Sequence, residues 1–263
     1  MKINVLFLGD IVGQPGRDCL RGSLSSIVES EGVSYVVVNG ENAAGGSGIT
    51  PGVADEIFSY GVDAITMGDH IWKQKDVIHL LNNEERFFRP FNYPDGTSGS
   101  GFGVIQKEGL PCLGIINIQG RTFMNPLENP FNLIDGVVGM LKSEASMILV
   151  DFHAEATSEK IAMGWYLDGK VSLVVGTHTH VQTADENVLE NGTGYITDVG
   201  FCGGHGGVIG REKEPVIKGF KTLAPSRFPV CAKDKKLHGI IASLDSESGV
   251  CTAIKRVSRS VND

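Results

Sequence analysis

No Cys-x-x-Cys pair occurs in the 263 residues, and the five cysteines (Cys19, Cys112, Cys202, Cys231 and Cys251) are scattered and odd in number. This excludes a zinc knuckle, argues against a disulfide framework and fits a reducing compartment. Basic residues are in deficit: 23 Lys and Arg against 31 Asp and Glu leave a net charge of −8. Such a chain has no broad basic footprint, so no stable nucleic-acid partner is expected; bound metal ions can still supply local positive charge for a phosphate. Long apolar runs are missing too. Val5-Leu6-Phe7-Leu8 follows Met1-Lys2, but Gly9-Asp10 stops it short of a signal-peptide core. No run approaches the roughly 20 residues that span a bilayer. A cytoplasmic protein without a membrane partner is therefore expected. There is no internal repeat, low-complexity tract or convincing linker, and a single domain over residues 1–263 is expected.

Glycine is abundant. The 35 glycines are about twice the usual share, while 41% hydrophobic and 21% charged residues are ordinary for a globular chain. Without a collagen-like period, this predicts many tight turns and backbone-lined loops. Short Val- and Ile-rich runs bounded by Gly, Asn or Asp read as buried strands: Ile3–Leu8, Tyr35–Val38, Asp63–Met67, Met147–Val150 and Val171–Val175. Helical patterns at Arg17–Ser30, Pro51–Tyr60, Gln74–Leu81, Phe131–Ser143 and Ser158–Tyr166 separate them. Strand then helix, repeated, predicts an α/β fold with a largely parallel sheet. Residues 86–126 read as a loop and a hairpin of a second sheet (Phe102–Gln106 and Leu110–Ile118). Leu237–Ser243 and Val250–Ile254 read as a C-terminal hairpin.

Each of the five runs gives way to polar residues of a consistent kind. Leu8 precedes Gly9-Asp10; Val38 precedes Asn39-Gly40-Glu41-Asn42; Met67 precedes Gly68-Asp69-His70. Val150 precedes Asp151-Phe152-His153, and Val175 precedes Gly176-Thr177-His178-Thr179-His180. Ligands of open α/β sheets bind beyond the carboxyl ends of the strands, so these groups aim at one crevice. Singly, Asp10 reads as a helix cap, Asn42 as a turn residue and each His as a structural hydrogen-bonding group. Together they read as a site. His178 and His180 are two apart, which in extended backbone puts both imidazoles on one side. Asp, Glu, Asn and His suit Fe, Mn or Zn, and without cysteine a structural zinc is not indicated. Asp10, Glu41, Asn42, Asp69, His153, His178 and His180 are too many for one tetrahedral metal and suit two. Glu41 is the expected bridge, with Gly40 permitting close approach.

The blocks Gly9-Asp10-Ile11-Val12-Gly13, Asn39 to Gly46, Gly68-Asp69-His70-Ile71-Trp72, Asp151 to Lys160 and Gly176 to Thr183 resemble the YmdB-type bacterial metallophosphoesterases of the calcineurin-like superfamily, a family of 2′,3′-cyclic-nucleotide 2′-phosphodiesterases. Gln119-Gly120-Arg121-Thr122 and Gly194 to Gly200 fit it too. The resemblance implies a four-layer α/β/β/α sandwich with two mixed sheets. It also implies a di-iron centre, with Mn or Zn as alternatives, and phosphodiesterase activity on 2′,3′- or 3′,5′-cyclic nucleotides or related diesters. By the same resemblance, Asp10, Asn42 and His180 hold one metal, Asp69, His153 and His178 the other, and Glu41 bridges. The attacking hydroxide is shared between the metals, and His70 is the proton donor, a role that imidazole side chains commonly fill. The family's Gly-Asn-His pattern is here Gly-Asp-His, which adds a negative charge at Asp69.

Other residues carry weaker signals. Gly45-Gly46-Ser47-Gly48 reads as a phosphate cradle or a flexible turn; no Gly-Lys-Ser/Thr succeeds it, which excludes a P-loop. Cys202 to Gly207 reads as a mobile loop near the site, ordered by His205. Arg121 and Arg211 read as surface salt-bridge residues that can also reach substrate, and His79 and His238 as structural. Two other readings share the site: a phosphomonoesterase, since the same metals serve both reactions, and a non-catalytic, metal-stabilised nucleotide-binding regulator. An intact His70 disfavours the regulator. A homo-oligomer is allowed by the sequence.

Overall fold

The computed structural model describes residues 1–261. The chain opens with β1 (Lys2–Leu8), turns at Gly9 into β2 (Asp10–Ile11) and enters α1 (Gly13–Glu31). Then come β3 (Tyr35–Asn39), α2 (Pro51–Ser59), β4 (Ala64–Thr66), α3 (Val77–Asn83) and β5 (Phe87–Phe88). The middle holds β6 (Phe102–Ile105), β7 (Leu113–Gln119), α4 (Pro130–Leu141), β8 (Met147–His153), α5 (Thr157–Leu167) and β9 (Leu173–Thr177). The last part holds β10 (Asn187–Val188), β11 (Gly194–Ile196), β12 (Phe201–Gly204), α6 (Lys213–Thr222), β13 (Lys235–Asp245) and β14 (Cys251–Ser260).

The parallel strands fall into two sheets rather than one. In the first, β1, β3, β4 and β5 are parallel, while β13 runs antiparallel to β1 and carries β14 and β12. In the second, β7, β8, β9 and β11 are parallel, with β6 and β10 antiparallel at the edges. Alternation along each strand sorts the side chains. Ile3, Val5 and Phe7 of β1 pack against Leu113, Ile115 and Leu149 of the other sheet, forming the core between the sheets. Leu6 and Leu8 face Leu20 and Leu24 of α1 and Ile57 of α2. On the far side, Ile116, Val150 and Phe152 meet Ile134 of α4 and Met163 of α5. Three apolar layers therefore separate four layers of structure. This is the calcineurin-like α/β/β/α sandwich with two mixed sheets. Burying each such Leu, Ile or Phe contributes roughly 1.5–3 kcal/mol, which fixes the strand register.

Helix ends follow local chemistry. α1 begins at Gly13, ahead of the expected Arg17, because Pro15 is tolerated in a first turn whose N–H groups are unpaired anyway. It ends where Gly32 takes φ 58° and its N–H returns to Val28 O. Thr50 and Asn129 cap α2 and α4, each followed by proline. α3 starts at Val77 and not at Gln74. Lys73 N closes a turn on His70 O, and Gln74 Nε2 donates to Ser47 O at 2.9 Å, tying this stretch to the 41–48 turns.

Candidate metal centre

The carboxyl ends of β1, β3, β4, β8 and β9 meet at one end of the sandwich. Three belong to the first sheet and two to the second, so the site straddles both. One ligand atom from each of Glu41, Asp69, His153 and His178 lies within 4.8 Å of the others. His153 Nε2 is 3.1 Å from Glu41 Oε2 and 3.2 Å from Asp69 Oδ1, and His178 Nδ1 is 3.5 Å from Asp69 Oδ1. Beside this group sits a second. Asn42 Nδ2 is 2.9 Å from Glu41 Oε1 and 3.2 Å from His180 Nε2, and His180 Nε2 is 3.7 Å from Asp10 Oδ1. Glu41 thus turns Oε2 to the first group and Oε1 to the second. His70 adjoins both, with Nδ1 2.8 Å from Asn42 Oδ1 and Nε2 3.9 Å from Asp69 Oδ2. All eight expected residues are brought together.

Each of the three other histidines has one ring nitrogen tied back and the other facing the centre, as metal-binding histidines do. Thr177 Oγ1 donates to Asp151 Oδ1 at 2.7 Å, so it accepts the Nδ1–H of His153 at 2.8 Å and leaves Nε2 free. Asp151 is held by Thr66 Oγ1 and Asn39 Nδ2, which donate to its other oxygen. His178 Nε2 is 3.1 Å from Glu155 Oε2, freeing Nδ1. His180 Nδ1 donates to Ile209 O at 3.0 Å, freeing Nε2.

The electrostatics suit cations. Asp10, Glu41 and His153 are fully or almost fully buried. Burial pushes the Asp10 carboxyl well up, and its Oδ1 has no hydrogen-bond partner. An orphaned buried oxygen beside His180 is what a metal ligand needs. Burial, helped by the charge on His153, takes His178 down to about 4, and burial lowers His180; both imidazoles are neutral at pH 7 and able to bind metal. Burial opposes ionisation of Glu41 and Asp69, but the His153 imidazole wins and holds both below the usual carboxylate range. Burial alone would depress His153; Glu41 and Asp69 raise it well above the ordinary value. The carboxylates that favour a proton on His153 Nε2 equally favour a metal there. The residues therefore fit a two-metal group. Asn42 faces Glu41 and His180 with Nδ2, so holding a metal requires its amide to turn over and present Oδ1.

Several local expectations change. His178 and His180 lie beyond β9 with φ of 99° and 61°, so left-handed bends, and not extended alternation, aim them at the centre. Gly40 abuts β4: a Cβ there would meet Ile65 Cγ2 at 2.7 Å. The close approach belongs to Gly68, whose Cβ would lie 2.1 Å from Glu41 Oε2 and 2.3 Å from His153 Nε2. Among the described residues Arg211 makes no surface salt bridge; its guanidinium donates to Gly46 O and Phe228 O, locking the 45–48 turn. Arg121 is exposed and has no ion pair among the described residues. Phe201 stacks on His180 (5.2 Å) and on His205 (4.0 Å), and His205 meets His238 (4.4 Å); a cavity of about 510 Å³ opens beside these rings. His79 stays on the surface beside Asn83. Asp151, Glu155 and Thr177 carry no signal of a supporting role in the sequence, although all lie within two positions of a ligand.

The sequence matches the family model described as YmdB-like protein over residues 6–257. The chain belongs to the YmdB-like family. It is 42% identical to a 2′,3′-cyclic-nucleotide 2′-phosphodiesterase of Bacillus subtilis, over 97% of this chain and 96% of that protein. Its fold matches a hypothetical protein from Thermus thermophilus (TM-score 0.92, 38% identity, 99% and 100% of the two chains). It also matches a phosphatase from Mycoplasma pneumoniae (TM-score 0.93, 32% identity, 100% and 95%). Among the described residues of this YmdB-like chain, no helix is long and apolar enough to cross a membrane.

Proposed function

We propose that this YmdB-like protein is a phosphoric diester hydrolase of the cytoplasm that works with two metal ions on cyclic nucleotides, with residues 1–263 acting as one domain. One observation carries this reading. Glu41 turns Oε2 to the cluster of Asp69, His153 and His178 and Oε1 to Asn42, which in turn meets His180 beside Asp10, as a bridging carboxylate would. The kinship with the B. subtilis 2′,3′-cyclic-nucleotide 2′-phosphodiesterase supports the substrate class. Iron is the favoured metal, with Mn and Zn accepted by the same N/O donors. When bound, metal ions held by these residues would supply water activation and charge neutralisation on a phosphoryl group.

The protein's own groups supply the rest. Asp151 and Thr177, Glu155, and Ile209 O hold the three imidazoles in the tautomer that faces the centre. With its amide turned over to face a metal, Asn42 presents Nδ2 to His70 Nδ1, 2.8 Å away, and donates to it; this keeps the imidazole proton on Nε2, the atom that passes it to the departing alkoxide oxygen. His70 is partly open to solvent, so it can reach a substrate in the cleft. The cavity lined by His180, Phe201 and Arg256 gives room for the organic part of the ester.

The M. pneumoniae relative, described as a phosphatase, favours a second reading: monoester hydrolysis by the same site. Paired assays separate the two. Metal-reconstituted protein is given a chromogenic bis-ester, the matching mono-ester, and 2′,3′- and 3′,5′-cyclic nucleotides. Faster turnover of the bis-ester and of 2′,3′-cyclic nucleotides, lost on chelation, is the expected outcome. Turnover of the mono-ester alone would move the assignment to phosphatase.

A further inference from the structure

Lys160 of α5 and Asp198, just beyond β11, form an ion pair at 2.7 Å with both side chains only 1% exposed. The lysine reaches its partner beneath Gly176: a Cβ there would lie 2.9 Å from Lys160 Cδ and 1.8 Å from Thr197 O. Apart from one bond to Gly200, the Asp198 carboxylate turns its remaining capacity to Thr179. Oδ2 also accepts from Thr179 N at 3.1 Å and Thr179 Oγ1 at 2.7 Å, while Oδ1 accepts from Gly200 N at 2.8 Å. Thr179 stands between His178 and His180, both of which take a positive, left-handed φ. Non-glycine residues persist in such conformations only where surrounding bonds overdetermine them.

A buried ion pair is weak evidence of a stabilising role, since well-packed apolar residues often do as well. Its worth here lies in where it points. We infer that the Lys160–Asp198 pair is a positioning device for the metal centre: through Thr179 it sets the bends that turn His178 toward one metal subsite and His180 toward the other. Glu155 and Ile209 O fix the rings; Asp198 fixes the backbone between them. Lys160 also cancels a negative charge that would otherwise lie unpaired beside the carboxylates of the centre. The inference rests on the two-metal reading of the site.

Metal-free protein, prepared with a chelator, is titrated with Mn²⁺ in a calorimeter. The wild type is expected to bind two ions. Thr179→Val keeps the shape and removes the hydroxyl that bonds Asp198; its Mn²⁺ affinity is expected to fall roughly 10- to 100-fold, as for other groups that orient metal ligands. Thr179→Ser restores affinity, and the metal-free melting temperatures of all three stay close together. Asp198→Asn, which keeps an acceptor without the charge, is expected to weaken Mn²⁺ binding in the same direction. Wild-type affinity in either weakened variant overturns the inference while leaving the metal centre standing. So does a loss in Thr179→Val that serine does not restore and that a lower metal-free melting temperature accompanies. A wild type that takes up no Mn²⁺ overturns the metal-centre reading itself, and this inference with it.

Discussion

Asp69 stands where the resemblance read from the sequence implies asparagine, 3.2 Å from His153 Nε2 and held ionised below the usual carboxylate range. Its extra negative charge makes loss of a proton from an attacking water harder, so the acid limb of the pH–rate profile should sit high. Asp69→Asn is expected to move that limb to lower pH; superimposable limbs would remove the idea. His70 touches Asn42 and Glu41 without completing either ligand group. His70→Ala is expected to lose 10²- to 10⁴-fold in turnover, the usual worth of a general acid, with metal content kept. Loss of a metal ion in that variant would make His70 a ligand instead. At this scale the ligands were legible because each comes just after an apolar run. Their supports were not: Thr177, Glu155 and the Lys160–Asp198 pair act through three-dimensional contacts that no spacing announces.

Elements differ in how plainly they show themselves. β1, β3, β8 and β9 announce themselves as apolar runs because both faces are buried, between the sheets on one side and under helices on the other. α6 is hard to read because Pro215 and Gly219 interrupt a ten-residue helix whose apolar Ile217 and Phe220 stay exposed, Val216 being its one buried residue. β12 is Phe-Cys-Gly-Gly and reads as a loop, yet it is buried beside β2 and β13. The turn between β13 and β14 allows a test of its own. Ser248 N and Oγ, then Glu247 N, donate to the Asp245 carboxylate, and these bonds hold it at about 2 instead of 3.8. A folded value below the unfolded one means that its stabilisation is complete above about pH 4 and is lost as pH falls through about 2. Asp245→Asn is therefore expected to lower the urea midpoint at pH 7, with the gap to wild type closing near pH 2. An equal gap at both pH values would contradict this.

Across the whole molecule, the centre joins two sheets that otherwise meet through apolar side chains. Asp10, Glu41, Asn42 and Asp69 belong to the first sheet and its loops; His153, His178 and His180 belong to the second. Ions bound between them stabilise only the assembled sandwich. At a hundred times its Kd, one ion adds about 2.7 kcal/mol, and each kcal/mol raises the melting temperature of a chain this size by about 2–4 °C. Chelation is thus expected to lower the melting temperature by roughly 5–10 °C per ion, and His153→Ala should blunt the response. A melting curve indifferent to chelator would place the metals elsewhere. The stacking of the sheets was legible through the family resemblance, whereas residue patterns alone put all five buried runs in one largely parallel sheet and only a hairpin in a second, because parallel strands look alike whichever sheet they join.

Anomalous diffraction from crystals of protein loaded with Mn²⁺ or Fe asks the central question outright. Two peaks about 3.5–4 Å apart, one among Asp69, His153 and His178, the other among Asp10, Asn42 and His180, with Glu41 between them, are the expected result. A single peak, or two away from Glu41, would contradict a two-metal centre in this fold.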